Sequence, residues 1–593
     1  MGVDHSAQRL DRFHVLAVLG LVLGTFLLYA PTLTHGYVFD DGAAVVDNPV
    51  VASGSLRDVF SRDYWGGRRG HHHVTTYRPL TTLTFRAERA VAGPEPAVSH
   101  AVNLALHVGA VLLLYGLVLA FGGPRAPALA AAALFAVHPV HVEAVVGVVN
   151  RAELLAFVFG VGSLLAWRLG KRTLALAAFG AALLSKENAV TVLPMLALAD
   201  WLGGTGTALP LRWQARARRL ASRLAPFAAL VVAVLLLRAR VLPAVLGGAI
   251  PPADNPMVDA GWPSRVLTPL KTLAFALRQG LFPRHLSPDW SANALPPAGW
   301  DDALAWAGLG AVILLGLGVW ELRRRAPAVS LGLTAFALAW SVSSNVPFLS
   351  TIVYADRALY LPSLGLCVAV AAVVHDVARS RAWAAWGAFG LYVALLAVTT
   401  VSYGQAWETD RTLFEHATVA APNSARAHAN LGAALGDAGE LAASEAHLRT
   451  ALRLDPYDVQ TRANLGGQLL TQGRLDEAER QLLEAVALDG GLADAWVNLA
   501  QLRLRLGRPA DALPAAEKAA ALAPAEPVAW ENLGAARLGT GDLSGGVEAL
   551  ITALQKGHHD PAAIRANLER LGRQTGTWEQ IRARLEGIGT GAR

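Results

Sequence analysis

The sequence has one cysteine and few charged residues. Cys367 is the only cysteine among 593 residues, so an intrachain disulfide and a cysteine metal cluster are both excluded. Charged residues make up 16% of the chain and hydrophobic residues 53%, whereas an average soluble domain is about a quarter charged. A single soluble core does not account for this composition. The formal net charge of +6 does not indicate nucleic-acid binding, because many basic residues lie in short clusters between apolar runs.

The shortage of charge is confined to the region before about residue 404, since Arg, Glu and Asp recur densely after it. A membrane span needs about 20 apolar residues, or somewhat fewer where protein surrounds it. Eleven segments meet this description, at about 13–33, 97–121, 126–140, 153–169, 172–185, 188–203, 220–242, 302–321, 327–347, 358–376 and 382–403. We therefore predict a polytopic transmembrane domain over residues 1–403, embedded in a lipid bilayer.

Short basic loops indicate the orientation of these spans, because Lys and Arg collect on the cytoplasmic side. Basic clusters occur in alternate loops, at 125, 168–172, 212–223, 323–325 and 379–381. The alternation requires that segment 264–283 does not cross, and its Lys271 and Arg278 would indeed be costly in lipid. Eleven crossings from a cytoplasmic N-terminus place the region after residue 403 on the outer face, in the periplasm of a bacterium or the lumen of the endoplasmic reticulum.

The last third of the chain repeats itself every 34 residues, the period of the tetratricopeptide repeat. Asn-Leu followed by Gly or Ala begins at residues 430, 464, 498 and 532. We predict an α-solenoid over 425–593, preceded by a linker or first helix at 404–424. Its repeats lie at about 425–458, 459–492, 493–526 and 527–560, with a degenerate cap at 561–593. The small residue after each Leu lets the two helices of a repeat approach closely.

The repeating asparagines are candidate ligands for a protein partner. A solenoid of this kind presents a concave surface, and Asn430, Asn464, Asn498 and Asn532 could hydrogen-bond an extended peptide there. Alternatively, these side chains only satisfy local backbone groups. The sequence favours neither interpretation.

Ionisable residues lie beside apolar helices in the loops of the predicted outer face, where they are costly and indicate a function. The first of these loops, at about 34–96, contains Asp40 and Asp41, and either carboxylate is a candidate general base. A helix cap is the alternative for this pair. A later loop at about 243–301 is predicted as an outer loop or re-entrant segment.

Other outer loops supply further candidates, which are His138, His141, Glu143, Arg151, Glu153, Lys186, Glu187, Asp356 and Arg357. Together they predict a polar cavity whose Arg and Lys side chains suit a phosphate. A triple histidine at 71–73 invites a metal interpretation. Consecutive histidines point in different directions, so a solvated loop is favoured and no metal site is predicted.

Five ordered segments resemble motifs of the transmembrane and tetratricopeptide-repeat-containing (TMTC) O-mannosyltransferases. They are Phe39-Asp40-Asp41 with Asn48-Pro49, 138–145 with 150–153, 185–188, 254–256 with 286–290, and 355–363. The resemblance covers nearly the whole chain, although the family's usual Glu-Arg is Asp356-Arg357 here and the repeat array is short. A composition rich in Ala and Arg with one Cys suggests a bacterial member, and hence an inner membrane with periplasmic repeats.

The resemblance implies a GT-C glycosyltransferase fold and transfer of mannose from a polyprenyl or dolichyl phosphate to Ser or Thr hydroxyls. The predicted topology places the repeats on the same outer face as the polar loops, so we expect them to hold the acceptor protein or a partner. No cofactor is implied, and the sequence does not decide whether a divalent metal is required. We expect an inverting displacement with Asp40 or Asp41 as base. Arg357, Arg151 and Lys186 are the candidates for stabilising the departing phosphate. The alternatives are a membrane-anchored scaffold without catalysis, or a transferase acting on a lipid or glycan acceptor.

Overall fold

The computed structural model describes residues 11–66, 76–203, 213–242, 250, 252, 254–291 and 293–586. The triple histidine at 71–73 lies outside these residues. Every regular element in the described ranges is helical, as the sequence predicts. The chain forms two compact units, Met1–Ser424 and Ala425–Arg593, so residues 404–424 belong to the first unit.

The α-helices of the first unit are Arg12–Tyr29, Pro49–Ser53, Leu56–Ser61, Pro79–Ala92, Pro96–Ala120, Arg125–Ala136, Val142–Val146, Arg151–Arg168, Arg172–Ser185, Val192–Gly203, Trp213–Val241, Trp262–Leu281, Ala303–Arg325, Pro327–Trp340, Ser363–Ala406 and Asp410–Ala420. An apolar helix lies in each of the eleven segments that the sequence nominates as spans. The last long helix contains two of those segments. Its backbone departs from helical geometry at Arg381, which lies between them.

Six helical segments of the described residues are long and apolar enough to cross a membrane. They are Arg12–Thr34, Pro96–Ala120, Val148–Arg168, Trp213–Val241, Ala303–Arg325 and Ser363–Ala406. A bent pair, Arg125–Ala136 with Pro139–Val146, raises the number to seven if it forms one span. Arg172–Ser185 and Pro327–Trp340 are apolar but shorter. The count of eleven crossings and the orientation that depends on it therefore stay predictions.

The uncertain segment 264–283 forms the helix Trp262–Leu281, which is not among the six. Its Lys271 Nζ lies 2.8 Å from the Asp302 carboxylate, so the charge that would be costly in lipid is paired within the protein.

Four short 3₁₀ helices carry or adjoin the polar residues of the predicted outer loops. They are Pro139–His141, Val148–Asn150, Glu187–Thr191 and Asp356–Leu359, and each lies shortly before or directly against the start of an apolar α-helix. Helix N-termini have backbone N–H groups without intrahelical partners and a positive dipole end, which favours acidic side chains in the first turn. Glu143 and Glu153 occupy such first turns. This arrangement holds carboxylates at the edge of an apolar helical core.

The second unit consists of paired helices at Ala425–Asp437, Leu441–Leu454, Val459–Thr471, Leu475–Leu488, Ala493–Arg505, Pro509–Leu522, Pro527–Gly539, Leu543–Gln555, Pro561–Thr575 and Trp578–Glu586. The turn within each of the four repeats contains a glycine with φ between 69° and 91°, at Gly439, Gly473, Gly507 and Gly541. This left-handed conformation is costly for any residue with a Cβ atom.

The small residue of each repeat lies against the second helix, as the sequence predicts. A Cβ added at the glycine would come within 2.8 Å of a leucine side chain, in the pairs Gly432 with Leu448, Gly466 with Leu482, and Gly534 with Leu550. In the third repeat, Ala500 and Ala516 occupy the corresponding positions, and both are fully buried. A larger residue on one helix is thus matched by a smaller one on the other.

Candidate active site

The two adjacent aspartates have different environments. Asp41 is fully buried, and its Oδ1 accepts a hydrogen bond from the Val149 N–H at 2.6 Å. Its Oδ2 lies 3.3 Å from the Val38 N–H, and burial raises the pKa of Asp41 to about 7. Asp41 therefore fastens the first loop to the 3₁₀ turn Val148–Asn150, which is a structural role.

Asp40 is partly exposed, and within the described residues no group donates a hydrogen bond to its carboxylate. The preceding Phe39 has a left-handed backbone with φ of 55°. Its N–H donates to Asp410 Oδ1 at 2.6 Å, and its ring meets Phe414 edge-on at 5.4 Å between ring centres. A strained conformation held from outside the loop is typical of functional sites. Of the two candidates, Asp40 is the carboxylate available to a ligand.

Arg357 is paired with Glu143, and the Asp40 charge also acts on it. One Glu143 oxygen accepts the Arg357 backbone N–H at 2.8 Å, and the other pairs with Nη1. Glu143 is 1% exposed and the Arg357 side chain 25%. Burial lowers the pKa of Arg357, but the Glu143 and Asp40 carboxylates outweigh it and raise that pKa. The guanidinium is therefore oriented on one side and accessible on the other.

Lys186 is held in the same way by Glu153. The ammonium group pairs with Glu153 Oε1, and Oε2 accepts from Asn188 Nδ2 at 2.9 Å. Burial and the nearby cations, Arg78 and Arg357, lower the pKa of Lys186, although Glu153 opposes them. The charges of Arg78 and Arg357 therefore act on Lys186.

Arg78 and Arg238 join this group, and sequence reasoning missed both. Arg78 donates to Glu187 with Nη2 at 2.8 Å and Nε at 3.3 Å, which is a bidentate pair. Arg238 Nη1 lies 4.0 Å from the same carboxylate. Arg238 is embedded in the apolar run of a predicted span, and a charge in such a run was the available signal.

We call Arg357, Lys186, Arg78 and Arg238 the cation cluster. Three glutamates, Glu143, Glu153 and Glu187, are paired with it. The three glutamates and the Asp40 carboxylate balance the four positive charges of the cluster. An arginine that is held in a fixed orientation and keeps one side accessible, as Arg357 does, suits an anionic ligand such as a phosphate.

His138 and His141, predicted to line the cavity, are structural. His138 Nε2 donates to the Gly280 carbonyl at 2.9 Å. His141 lies 2.8 Å from both the Phe135 carbonyl and Ser363 Oγ, and both histidines are buried. They join neighbouring helical segments to one another.

Asp356 is also a structural residue and is fully buried. Its carboxylate accepts hydrogen bonds from Ser287 N–H, Trp290 Nε1, Tyr354 Oη and Gln279 Nε2 at 3.0 to 3.3 Å. Burial and the Glu143 charge raise the pKa of Asp356 to about 7. Asp356 anchors the 285–291 segment, and only its neighbour Arg357 reaches the candidate site.

Arg151, predicted to bind phosphate, is fully buried with every guanidinium nitrogen engaged. Its partners are Asn103 Oδ1, Thr84 Oγ1, Glu88 Oε1 and the Ser99 carbonyl, and its guanidinium lies 4.5 Å from the centre of the Phe85 ring. Each nitrogen already donates to a protein group and the side chain has no exposed surface, so this geometry does not support a role in phosphate binding.

The repeat asparagines differ from one another. Asn498 Nδ2 donates to the Ala463 carbonyl at 3.3 Å, and Asn532 Nδ2 donates to the Val497 carbonyl at 3.1 Å. Each therefore bonds the backbone of the preceding repeat, which favours the local alternative for these two. Asn464 Oδ1 accepts from Gln460 at 3.1 Å. Asn430, which begins the array, has a buried Nδ2 with no partner among the described residues.

No group of three or more His, Cys, Asp or Glu residues is placed to hold a metal ion in the ranges that the structure describes. The fold and the site thus define a membrane protein with a gathered set of carboxylates and cations, joined in one chain to a tetratricopeptide solenoid. The tetratricopeptide repeat family models match residues 425–458, 464–527 and 497–561, which confirms the repeats.

Relatives extend this similarity to the membrane unit. Protein O-mannosyl-transferase TMTC3 of Mus musculus is 30% identical over 73% of this chain and 50% of its own length. TMTC4 of Mus musculus is 30% identical over 75% of this chain and 67% of its own length, and Tmtc2 of Drosophila melanogaster is 37% identical over 46% and 30%. The chain belongs to the TMTC protein O-mannosyl-transferase family. It spans about half the length of the TMTC3 relatives that it matches.

Proposed function

We propose that this protein transfers a sugar, mannose, from a polyprenyl or dolichyl phosphate to Ser or Thr hydroxyls of exported proteins. The observation that carries the proposal is the partly exposed Asp40 carboxylate, whose charge acts on the guanidinium of Arg357 that Glu143 orients. Glycosyl transfer from a lipid phosphate requires a base for the acceptor hydroxyl and, within electrostatic reach of it, a cationic side chain that binds the departing phosphate.

In the proposed reaction, Asp40 accepts the proton of the acceptor hydroxyl as its oxygen attacks the anomeric carbon. The bond between that carbon and the phosphate oxygen breaks on the opposite face, and the lipid phosphate leaves with the electron pair. Arg357 and Lys186 stabilise the charge that develops on this phosphate. A single displacement inverts the anomeric configuration and needs no covalent sugar intermediate. Glu143 and Glu153 position the two cations.

The reaction has a proposed location, and the second unit has a proposed role. Transfer occurs on the outer face of the membrane, in the periplasm of a bacterium or the lumen of the endoplasmic reticulum. The tetratricopeptide unit binds the acceptor protein or a partner, since such solenoids bind peptides on their concave surface.

The test compares exported proteins from cells with the gene, without it, and with the gene carrying Asp40→Asn. Mass spectrometry should find a hexose on Ser or Thr residues that disappears in the second and third cell lines. Inserted protein of normal abundance in the Asp40→Asn cells is the control for folding. An unchanged glycoproteome would contradict a protein acceptor and favour a scaffold or a transferase acting on a lipid or glycan.

A further inference from the structure

Arg238 occupies an unusual position at the end of an apolar helix. It follows the uncharged run 224–237 within the helix Trp213–Val241, and its side chain is only 13% exposed. A long cationic side chain near a span terminus ordinarily extends toward water. Arg240, two residues further along the helix, is exposed and fits that description. Arg238 instead points into the protein, toward Glu187.

The charge of Arg238 is incompletely paired. Its Nη1 is 4.0 Å from Glu187 Oε2, while Arg78 holds both oxygens of that carboxylate at hydrogen-bonding distances. The Nε of Arg238 is buried and has no hydrogen-bond partner among the described residues. Burying a charged donor without a partner is costly, so such a group calls for an explanation.

A buried acceptor without a partner lies next to Glu187 in the sequence. Asn188 is 5% exposed, and its Nδ2 donates to Glu153 Oε2 at 2.9 Å. Its Oδ1 is buried and receives no hydrogen bond from any described residue. One unsatisfied N–H donor therefore belongs to the cation cluster itself, and one unsatisfied oxygen acceptor belongs to a side chain that bonds Glu153, the partner of Lys186. A ligand that satisfies both must supply an acceptor, preferably anionic, and a hydroxyl donor.

We propose that Arg238 and Asn188 form a subsite for a sugar phosphate, in which Arg238 Nε donates to a phosphate oxygen and Asn188 Oδ1 accepts a hydrogen bond from a sugar hydroxyl. The inference rests on the proposed function for the lipid tail of the ligand and for mannose as the sugar. It assigns phosphate recognition to a residue outside the family-like motifs, and it assigns recognition of the sugar to Asn188. A polar contact with a hydroxyl discriminates against ligands that lack the sugar, because the acceptor is then left unsatisfied.

Direct binding separates the two contributions. The full chain in lipid nanodiscs is titrated with polyprenyl phosphate, polyprenyl-phosphate mannose and soluble mannose 1-phosphate. Arg238→Gln should weaken the binding of all three about 10- to 100-fold, because a charged hydrogen bond is lost. Asn188→Ala should weaken only the two mannose-bearing probes, about 5- to 10-fold. Comparison of mannose 1-phosphate with the lipid probes shows how much the lipid tail adds.

Two control variants match these changes. Arg240→Gln removes an exposed arginine from the same helix, and Thr191→Val removes a hydroxyl that bonds the Asn188 carbonyl at 2.8 Å. Both should bind every probe within about twofold of the wild type. Unfolding midpoints of all variants establish that the proteins are folded.

The outcomes distinguish this inference from the proposed function. Wild-type affinity in a folded Arg238→Gln variant would overturn the inference, since Arg238 Nε would then make no hydrogen bond to the phosphate. Equal weakening of polyprenyl phosphate and polyprenyl-phosphate mannose by Asn188→Ala would overturn the assignment of the sugar contact. If the wild type binds as expected but transfers no sugar, the subsite stands and the proposed function fails.

Discussion

Glu143 contacts Arg357 through both of its carboxylate oxygens, one accepting the backbone N–H at 2.8 Å and the other pairing with the guanidinium. The two residues are 214 positions apart in the chain. The glutamate is buried and the arginine is partly exposed, so the pair fixes the direction in which a reactive cation points. Lys186 and Glu153 repeat this relationship with a lysine.

The first prediction separates the adjacent aspartates by activity. Asp40→Asn removes the only one of the two carboxylates that is accessible, so we expect sugar transfer to fall by about 10²- to 10⁴-fold, the usual effect of losing a general base. The unfolding midpoint should change little, because Asp40 receives no described hydrogen bond. Transfer rates of purified Asp40→Asn and wild-type protein provide the measurement. A turnover equal to that of the wild type would exclude Asp40 as the base.

The second prediction concerns Asp41 and pH. Its folded pKa of about 7 lies above the ordinary value of 3.8, so the folded state binds more protons than the unfolded state between these values. The contribution of Asp41 to the free energy of unfolding is therefore fully present below about pH 4 and is lost as the pH rises through 7. The effect is on the order of a few kcal/mol. The Asp41→Asn variant cannot ionise at this position, so its stability should depend less on pH than that of the wild type.

Unfolding midpoints of the solubilised full chain, recorded between pH 4 and 8, test the second prediction. Asp40→Asn is the matched control and should keep the slope of the wild type. The same slope in Asp41→Asn and in the wild type would show that Asp41 does not hold a proton in the folded protein.

The third prediction concerns the orientation of Arg357. Glu143→Gln keeps the size of the side chain but removes the charge, so Arg357 loses its ion pair and part of its alignment. We expect a loss of about 10- to 100-fold in kcat/KM for the lipid donor, since misplacement by about 1 Å has a cost of this size. Glu321→Gln, which removes an exposed glutamate paired with Arg325, should leave kinetics unchanged. Equal kinetics in Glu143→Gln and Glu321→Gln would contradict the positioning role.

The fourth prediction uses the complementary sizes in the repeats. Gly466→Ala should destabilise the protein by about 1–3 kcal/mol, because the new Cβ would lie 2.6 Å from Leu482. In a Leu482→Ala background, the same substitution should be nearly neutral, as the Ala500 and Ala516 pair of the third repeat indicates. Chemical unfolding of the four proteins of this double-mutant cycle measures the coupling. Additive effects would contradict the close contact.

Periodicity and apolar length made the helical class and the repeats predictable, because both are local properties of the sequence. Asn430 and its successors fall in register every 34 residues, and the family models match these repeats. The order of the polar loops also indicated which segments contain candidate site residues. The sequence could not indicate which of these side chains are accessible.

The accessibility of a side chain depends on tertiary packing, which explains why residues that look alike in the sequence differ in exposure at the site. Arg151 and Arg357 look alike in sequence, yet Arg151 is enclosed by Glu88 and its other partners while Arg357 retains an exposed side. Asp40 and Asp41 are adjacent, yet the loop buries only Asp41. Arg238 directly follows an apolar run in the sequence, and only the position of Glu187 shows that it belongs to the cation cluster.

Asp40 and the cation cluster are proposed to transfer a sugar from a lipid phosphate to a protein. The most direct measurement uses the full chain in proteoliposomes with radiolabelled polyprenyl-phosphate mannose and a purified exported protein, followed by mapping of the label. We expect mannose on Ser or Thr with wild-type protein, a loss of at least about 100-fold with Asp40→Asn, and wild-type transfer with Arg240→Gln. Wild-type transfer by the folded Asp40→Asn variant, or no transfer by the wild type, would contradict this proposal.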